Sequence, residues 1–173
     1  MAETVTAIIV AAGRGVRAGN QGPKQYRDLA GESVLARAMR AFLDHPEISH
    51  VRVIIHADDH DLYAQSVARL SDHLKLLPPV TGGRERQDSV RLGLESLAAD
   101  PPELVLIHDA ARPFIDAPAI SRVISAARKT GGAIAALPVF DTIKKADGKT
   151  HPAIHNTVPR DGLWRAQTPQ GFR

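Results

Sequence analysis

The sequence contains no cysteine. Disulfide bonds, thiolate zinc sites and thiol nucleophiles are therefore excluded, and any catalysis has to use other groups. Stable disulfides form in oxidising compartments, so a chain without cysteine indicates a cytoplasmic protein.

Long hydrophobic runs and blocks of like charge are also missing. The N-terminal "MAETVTAIIVAAG" has an apolar run too short to cross a bilayer and no basic stretch before it, so neither a signal peptide nor a membrane partner is indicated. The 22 Lys and Arg barely exceed the 19 Asp and Glu, and they are scattered along the chain. This argues against nucleic acid as a partner, whereas a small anionic ligand would suit a modest positive balance.

Apolar runs alternate with amphipathic helical patterns as far as Pro138, for example "TAIIVAAG", "SVLARAMRAFLDH", "HVRVIIHA" and "DLYAQSVARLSDHL". This alternation predicts one α/β domain over residues 1–173, with a mostly parallel sheet covered on both faces. After Pro138 the alternation stops, and short β-like pieces flank the turn dipeptide Asp147-Gly148. They predict a projecting β-arm over about residues 139–166, or else a hairpin packed on its own sheet.

Gly13, Gly15 and Ala18 match the dinucleotide-binding pattern G-x-G-x-x-[G/A] directly after the first apolar run. In a dinucleotide site, a helix opens at once and an acidic residue ends the second strand. Here further glycines and Pro23 follow, and the first clear helix begins only near Ser33, which is a good N-cap. The pattern therefore does not indicate a nicotinamide or flavin site.

The segment is better described as a long, basic, glycine-rich loop. Its freed backbone amides, with Arg14, Arg17 and Lys24, could wrap a polyphosphate. A P-loop is excluded because the Walker sequence is absent. The alternative is a solvated surface loop with incidental charges.

Five further stretches occur in a fixed order with this loop: "PKQY", "GGRERQDSV", "HDAARPF", "PVFDTIKK" and "VPRDGLWRAQTPQGF". Together with "AAGRGVR", they resemble the motifs of the 2-C-methyl-D-erythritol 4-phosphate cytidylyltransferase family over nearly the whole chain. The resemblance implies a Rossmann-like three-layer nucleotidyltransferase fold. It also implies transfer of a cytidylyl group from CTP to methylerythritol phosphate, with Mg²⁺ required.

The resemblance also implies roles for residues of the loop and of the segments after the strands. We expect Arg17 and Lys24 to be catalytic, because fixed cations stabilise the negative charge that gathers on the α-phosphorus. The nucleotide would bind at Ala11, Ala12, Gly13, Gly15, Gly83, Ser89 and Asp109. Asp109 is in addition a possible Mg²⁺ ligand.

Methylerythritol phosphate would bind at Arg112, Thr142, Arg160 and Thr168. The resemblance places Thr142 and Arg160 in the neighbouring subunit's site, so it implies a homodimer through the β-arm. Two alternatives are structural: Asp109 and Arg112 could be a local ion pair before Pro113, and Ser89 could be only a first-turn residue of a helix.

The cluster "HADDHD" at 56–61 combines histidines with carboxylates, as transition-metal sites do. We reject a metal site there, because neighbouring side chains diverge and Asp59 or Asp61 is more simply a helix cap.

Family members continue beyond the position of Arg173, so we expect the chain to be a fragment, an ordered part or one piece of a longer, possibly fused enzyme. Another sugar- or alcohol-phosphate nucleotidyltransferase, or a non-catalytic nucleotide-binding module, is the alternative function.

Overall fold

The computed structural model describes residues 3–14, 22–148 and 152–173. Its main sheet has six strands, and a separate hairpin has two. The strands are β1 (Val5–Val10), β2 (His50–Ile55), β3 (Val80–Thr81), β4 (Leu104–Asp109), β5 (Gly132–Pro138), β6 (Ile143–Asp147), β7 (Ala153–Val158) and β8 (Trp164–Phe172). The α-helices are α1 (Val34–Leu43), α2 (His60–Val67), α3 (Arg86–Glu95) and α4 (Ala117–Thr130), and short 3-10 helices cover Lys24–Tyr26 and Ala57–Asp59.

The main sheet has the order β3-β2-β1-β4-β8-β5. The strands β1, β2, β3 and β4 run parallel to one another, and β8 runs antiparallel to both β4 and β5. The predicted α/β fold with a mostly parallel sheet is therefore confirmed. Successive strands β1, β2 and β3 extend the sheet to one side and β4 lies on the other, so the carboxyl ends of β1 and β4 form a topological switch point.

Two hydrophobic clusters cover the two faces of this sheet. The larger one packs α1, α2 and α4 against one face and includes Leu35, Phe42, Ile120 and Ile124, which are almost completely buried. The smaller one packs Leu97 and Val90 against side chains of the opposite face, such as Ile8 and Ile54. Both faces are apolar because parallel strands between helices have no contact with water.

Local signals explain where the helices begin and end. The Ser33 hydroxyl accepts from the Ala36 amide at 3.0 Å and caps α1, as predicted. At α4, the Asp116 carboxylate accepts from the Ala119 amide at 2.9 Å, and Gly131 ends the helix with a φ of 83°, which favours glycine. Within the described ranges, no helix is long and apolar enough to cross a membrane.

In the part of the chain that the structure describes, β6 and β7 pair only with each other. This hairpin lies inside the stretch predicted as the β-arm. Trp164, Arg165 and Ala166, which the predicted arm also includes, belong to β8 and pair with β5 in the main sheet.

Candidate active site

A cavity of about 530 Å³ opens at the switch point between β1 and β4. Its walls come from the end of β1, the stretch before and within the 3-10 helix at Lys24, the N-terminus of α3 and the turn after β4. Eight of the residues predicted from the sequence line it, namely Ala11, Ala12, Gly13, Lys24, Gly83, Ser89, Asp109 and Arg112. Four segments far apart in the sequence are thus brought to one place.

The other predicted residues lie elsewhere. Gly15 and Arg17 lie outside the described residues. Thr142 and Arg160 are exposed at the base of the hairpin, where the Arg160 guanidinium donates to the Phe140 carbonyl oxygen. Thr168 is buried on β8, behind Asp109, and does not line the cavity.

Gln25 closes the base of the glycine-rich loop. Its side-chain amide donates to the carbonyl oxygens of Ala11 at 2.6 Å and Gly13 at 3.1 Å, and the residue is 3% exposed. The two ends of the loop are thus held together beside Lys24. Sequence analysis assigned no role to Gln25; its position within "PKQY" was the available signal.

Arg14 does not belong to the cavity lining. Its guanidinium binds the carboxylates of Asp58 at 2.5 Å and Asp59 at 2.9 Å and contacts His56 Nδ1 at 2.7 Å. The interpretation of Arg14 as a phosphate ligand therefore has no support in this arrangement. The "HADDHD" segment instead uses its carboxylates to hold one end of the glycine-rich loop.

Asp109 lies between two guanidinium groups at the edge of the cavity. Arg86 Nε is 2.9 Å from one carboxylate oxygen, and Arg112 Nε is 3.3 Å from the other. The Arg112 guanidinium also donates to the side-chain carbonyl of Gln167. The local ion pair that sequence analysis left open is therefore present, and it includes Arg86, which sequence reasoning missed.

The N-terminus of α3 supplies backbone amides and a hydroxyl to the cavity wall. Ser89 Oγ accepts from the Gly83 amide at 3.2 Å and donates to the Glu85 carbonyl at 3.1 Å. The Asp88 carboxylate accepts from the Glu85 amide at 3.2 Å, so the first turn caps itself. A Cβ on Gly82 would lie 2.6 Å from the Ala12 side chain, so the loop before α3 approaches the segment after β1 too closely for any side chain.

His108 is buried directly beneath the Asp109 turn. Burial lowers the pKa of His108 from 6.5 to about 4, although Asp109 and the carbonyl of Arg112 act in the opposite direction. The ring also packs on Phe42, with 4.9 Å between the ring centroids. His108 is therefore neutral at physiological pH.

Two carboxylates, those of Glu85 and Asp109, belong to residues that line the cavity. In the described part of the chain, no cluster of three or more His, Cys, Asp or Glu could hold a metal ion. One or two carboxylates completed by substrate phosphates are a usual Mg²⁺ environment, whereas transition-metal sites need more protein ligands. The donor set at Asp109 thus fits Mg²⁺ bound together with a phosphate ligand.

Comparisons with known proteins agree with this geometry. The sequence profile of the IspD family, 2-C-methyl-D-erythritol 4-phosphate cytidylyltransferase, matches residues 5–173. The bifunctional enzyme IspD/IspF of Rhodospirillum rubrum is 53% identical over 169 residues, covering 98% of this chain and 42% of the relative. That of Paramagnetospirillum magneticum is 53% identical over 174 residues, covering 100% of this chain and 43% of the relative. The chain therefore spans less than half the length of these relatives.

Solved structures share the fold. The 2-C-methyl-D-erythritol 4-phosphate cytidylyltransferase of Thermus thermophilus superposes with a TM-score of 0.71 at 34% identity, covering 99% of this chain and 70% of that one. The 4-diphosphocytidyl-2C-methyl-D-erythritol synthase of Anaerococcus prevotii superposes with a TM-score of 0.80 at 28% identity, with the same coverages. On the match over residues 5–173, the chain belongs to the 2-C-methyl-D-erythritol 4-phosphate cytidylyltransferase family.

Proposed function

We propose that the complete protein transfers a cytidylyl group from CTP to 2-C-methyl-D-erythritol 4-phosphate. The products are 4-diphosphocytidyl-2-C-methyl-D-erythritol and pyrophosphate, in non-mevalonate isoprenoid precursor synthesis. An oxygen of the acceptor phosphate forms a bond to the α-phosphorus of CTP, and the bond from that phosphorus to the bridging oxygen of pyrophosphate breaks. The observation that carries the proposal is the convergence of eight residues of the family's motifs on one cavity.

The walls of the cavity suit the parts of such a substrate pair. Gly13 and Lys24 line the cavity, which supports the proposal that backbone amides near Gly13 and the Lys24 ammonium bind the triphosphate. The Gly83 backbone and the Ser89 hydroxyl can recognise a cytosine edge without any charge, and Asp109 can accept from ribose hydroxyls. We propose Lys24 and Arg17 as the cations that stabilise the charge developing at the α-phosphorus.

We propose that Arg112 binds the phosphate of the acceptor. A guanidinium presents two parallel N–H groups to phosphate oxygens, which suits a group that must be oriented as well as bound. Arg112 and Arg86 both reach the cavity edge at Asp109, so a second cation lies beside the first. Thr168 is a further predicted contact, and its hydroxyl lies behind Asp109, bonded to the Asp109 amide and His108 Nδ1.

We propose Mg²⁺ as the metal that accompanies CTP. Asp109 would hold it together with phosphate oxygens, and the ion would neutralise phosphate charge when bound. In the structure, one Asp109 oxygen accepts from Arg86 and the other from Arg112. The carboxylate therefore binds positively charged groups even without the metal.

We propose a homodimer in which the β-arm of one subunit completes the site of the other through Thr142 and Arg160. A two-stranded hairpin alone is marginal in water, and this one pairs with no further strand of the described chain. Phe140 is 71% exposed, Ile154 68% and Trp164 63%, so the arm and its base present an uncovered apolar surface. We further propose a cytoplasmic location, which a chain without cysteine suits.

The test of the function is pyrophosphate release by the complete protein with CTP and Mg²⁺, with and without methylerythritol phosphate. We expect release to depend on all three components. Equal rates with and without the acceptor would contradict the proposal. Turnover with a different sugar or alcohol phosphate would assign another nucleotidyltransferase, and calorimetric CTP binding without turnover would assign a nucleotide-binding module.

A further inference from the structure

Three hydrogen bonds hold the turn after β4 in place, and the buried His108 ring makes two of them. His108 Nε2 lies 3.1 Å from the Arg112 carbonyl oxygen, and His108 Nδ1 lies 3.0 Å from the Thr168 hydroxyl. The same hydroxyl accepts from the Asp109 amide at 3.3 Å. His108 is 0% exposed and Thr168 is 7% exposed, so these groups have little access to water.

The position of Thr168 follows from the register of β4 and β8. The last paired residues toward the cavity are Ile107 and Gln170, and two residues further along each strand Asp109 and Thr168 lie opposite each other. Pro169 has no amide and cannot extend the ladder between them. The Asp109 amide donates to the Thr168 hydroxyl instead of to a backbone carbonyl of β8.

The direction of each hydrogen bond follows from its partners. A carbonyl oxygen only accepts, so His108 Nε2 carries a proton and donates to Arg112. In the neutral ring Nδ1 then has no proton, so it accepts from the Thr168 hydroxyl. That hydroxyl in turn accepts from the Asp109 amide. Of the two neutral tautomers of the ring, only the Nε2–H form satisfies all three bonds together.

We propose that His108 is a positioning residue: with Thr168 it fixes the Asp109–Arg112 turn so that both side chains face the cavity in one arrangement. The inference rests on the proposed function, in which Asp109 serves the nucleotide and Arg112 the acceptor. His108 itself touches no substrate. A loss of the three bonds should therefore act on turnover through the misplacement of Arg112 and Asp109.

The alternative is that His108 only fills space against Phe42. His45 provides a matched control, because it is also buried and bonded through both ring nitrogens, to Ser121 Oγ at 3.0 Å and to the Glu47 amide at 3.2 Å. It precedes β2 and therefore lies at the opposite end of the sheet from the cavity. His108→Phe and His45→Phe both keep a ring and lose the hydrogen bonds.

The kinetic experiment compares these variants in the complete protein. We expect His108→Phe to lower kcat/KM for methylerythritol phosphate by roughly tenfold to hundredfold, as small displacements of positioned groups do. His45→Phe should lower the melting temperature to a similar extent while leaving kcat/KM within about twofold. Equal kcat/KM losses in both variants, or none in His108→Phe, would overturn the proposal.

A second pair of variants keeps the test valid should His108→Phe fail to fold. Thr168→Ser retains the hydroxyl and Thr168→Val removes it with little change in volume. We expect Thr168→Ser to rescue most of the kcat/KM that Thr168→Val loses, and the Asp109 amide to exchange with solvent faster in Thr168→Val alone. Equal kinetic and exchange behaviour of the two variants would overturn the proposal.

NMR of the free protein tests the hydrogen bonds without substrate. Nitrogen-15 shifts of the His108 ring should show a proton on Nε2 and none on Nδ1. A proton on Nδ1 would overturn the proposal whatever the activity. If the wild type has this tautomer and the predicted amide exchange but no turnover, the proposed function fails while the hydrogen-bonded turn stands.

Discussion

The Arg14 guanidinium is bound to the Asp59 carboxylate at 2.9 Å, and Asp59 is 1% exposed whereas the Arg14 side chain is 40% exposed. The other Asp59 oxygen is buried without a hydrogen-bond partner in the described part of the chain. Arg14 is therefore the main compensation for a buried charge. This ion pair joins the start of the glycine-rich loop to the segment that begins α2.

The unequal burial of the two partners predicts unequal effects of their removal. Arg14→Ala leaves the Asp59 charge buried and uncompensated, and we expect it to lower the free energy of unfolding by about 2–3 kcal/mol. Asp59→Asn removes the charge itself and should cost about 1 kcal/mol. Urea unfolding at neutral pH measures both. A larger loss in Asp59→Asn would show that Arg14 is not what stabilises Asp59.

Gly82 should tolerate no side chain. A Cβ there would lie 2.6 Å from the Ala12 Cβ and 2.7 Å from Ser89 Oγ, so we expect Gly82→Ala to cost about 1–3 kcal/mol by overpacking. Gly13→Ala is the matched control, because a Cβ on Gly13 meets nothing within 4 Å, and its cost should stay below about 0.5 kcal/mol. Thermal unfolding of the two variants gives the comparison, and equal stability would contradict the close packing at Gly82.

Lys24 lines the cavity, and its charge should matter most in the transition state. We expect Lys24→Ala to lower kcat by about a hundredfold while weakening CTP binding by less than about tenfold. Arg17→Ala should behave in the same way. Steady-state kinetics and calorimetry separate the two quantities, with Lys129→Ala, an exposed lysine in the last turn of α4, as the control. A variant that weakens CTP binding and leaves kcat unchanged would assign Lys24 to ground-state binding.

If the β-arm completes the neighbouring subunit's site, two inactive variants should restore each other. In a heterodimer of Lys24→Ala and Arg160→Ala subunits, one site collects both defects and the other has an intact loop and an intact arm. Activity should rise as subunits exchange, to about half of the wild-type value per heterodimer. Each variant incubated alone is the control. An active monomer in sedimentation, or no rescue despite proven exchange, would return Arg160 to its own chain's site or to none.

His108 should make the fold sensitive to mild acid. Its pKa is lowered to about 4 in the folded protein, whereas in the unfolded chain it is near 6.5. The unfolded state alone therefore takes up a proton between pH 6.5 and pH 4, and stability falls as the pH falls through this range, by about 3 kcal/mol at most. The difference between wild type and His108→Phe isolates this contribution. A pH-independent difference would show that the folded protein protonates His108 normally.

The sequence predicts the features that depend on neighbouring residues. The alternation of strands and helices, the Ser33 cap and the hairpin around Asp147-Gly148 all follow from local periodicity and turn chemistry. Segments that line the cavity could also be predicted, because loops after parallel strands meet at the same edge of a sheet, whereas the individual residues followed from the family resemblance.

The contacts that sequence analysis missed join residues distant in the chain. Arg86 and Asp109 are 23 positions apart, and Arg14 and Asp59 are 45 apart. The neighbouring sequence does not distinguish an arginine that pairs with a carboxylate of the protein from an arginine that binds a ligand, because a guanidinium suits both partners. The place of β8 was missed for the same reason: strand pairing is decided by packing between elements.

The position of β8 between β4 and β5 has a consequence for the order of folding. The strand β5 precedes β8 in the chain, but among the described strands it pairs with β8 alone. During synthesis, β1 to β4 can therefore assemble as soon as they leave the ribosome. The strand β5 can join the sheet after Trp164 to Phe172 have emerged. Until then the edge of β4 and the part of α4 that packs on β5 and β8 remain uncovered. The nascent chain is thus most vulnerable to misassembly during the interval in which the hairpin of β6 and β7 is being made.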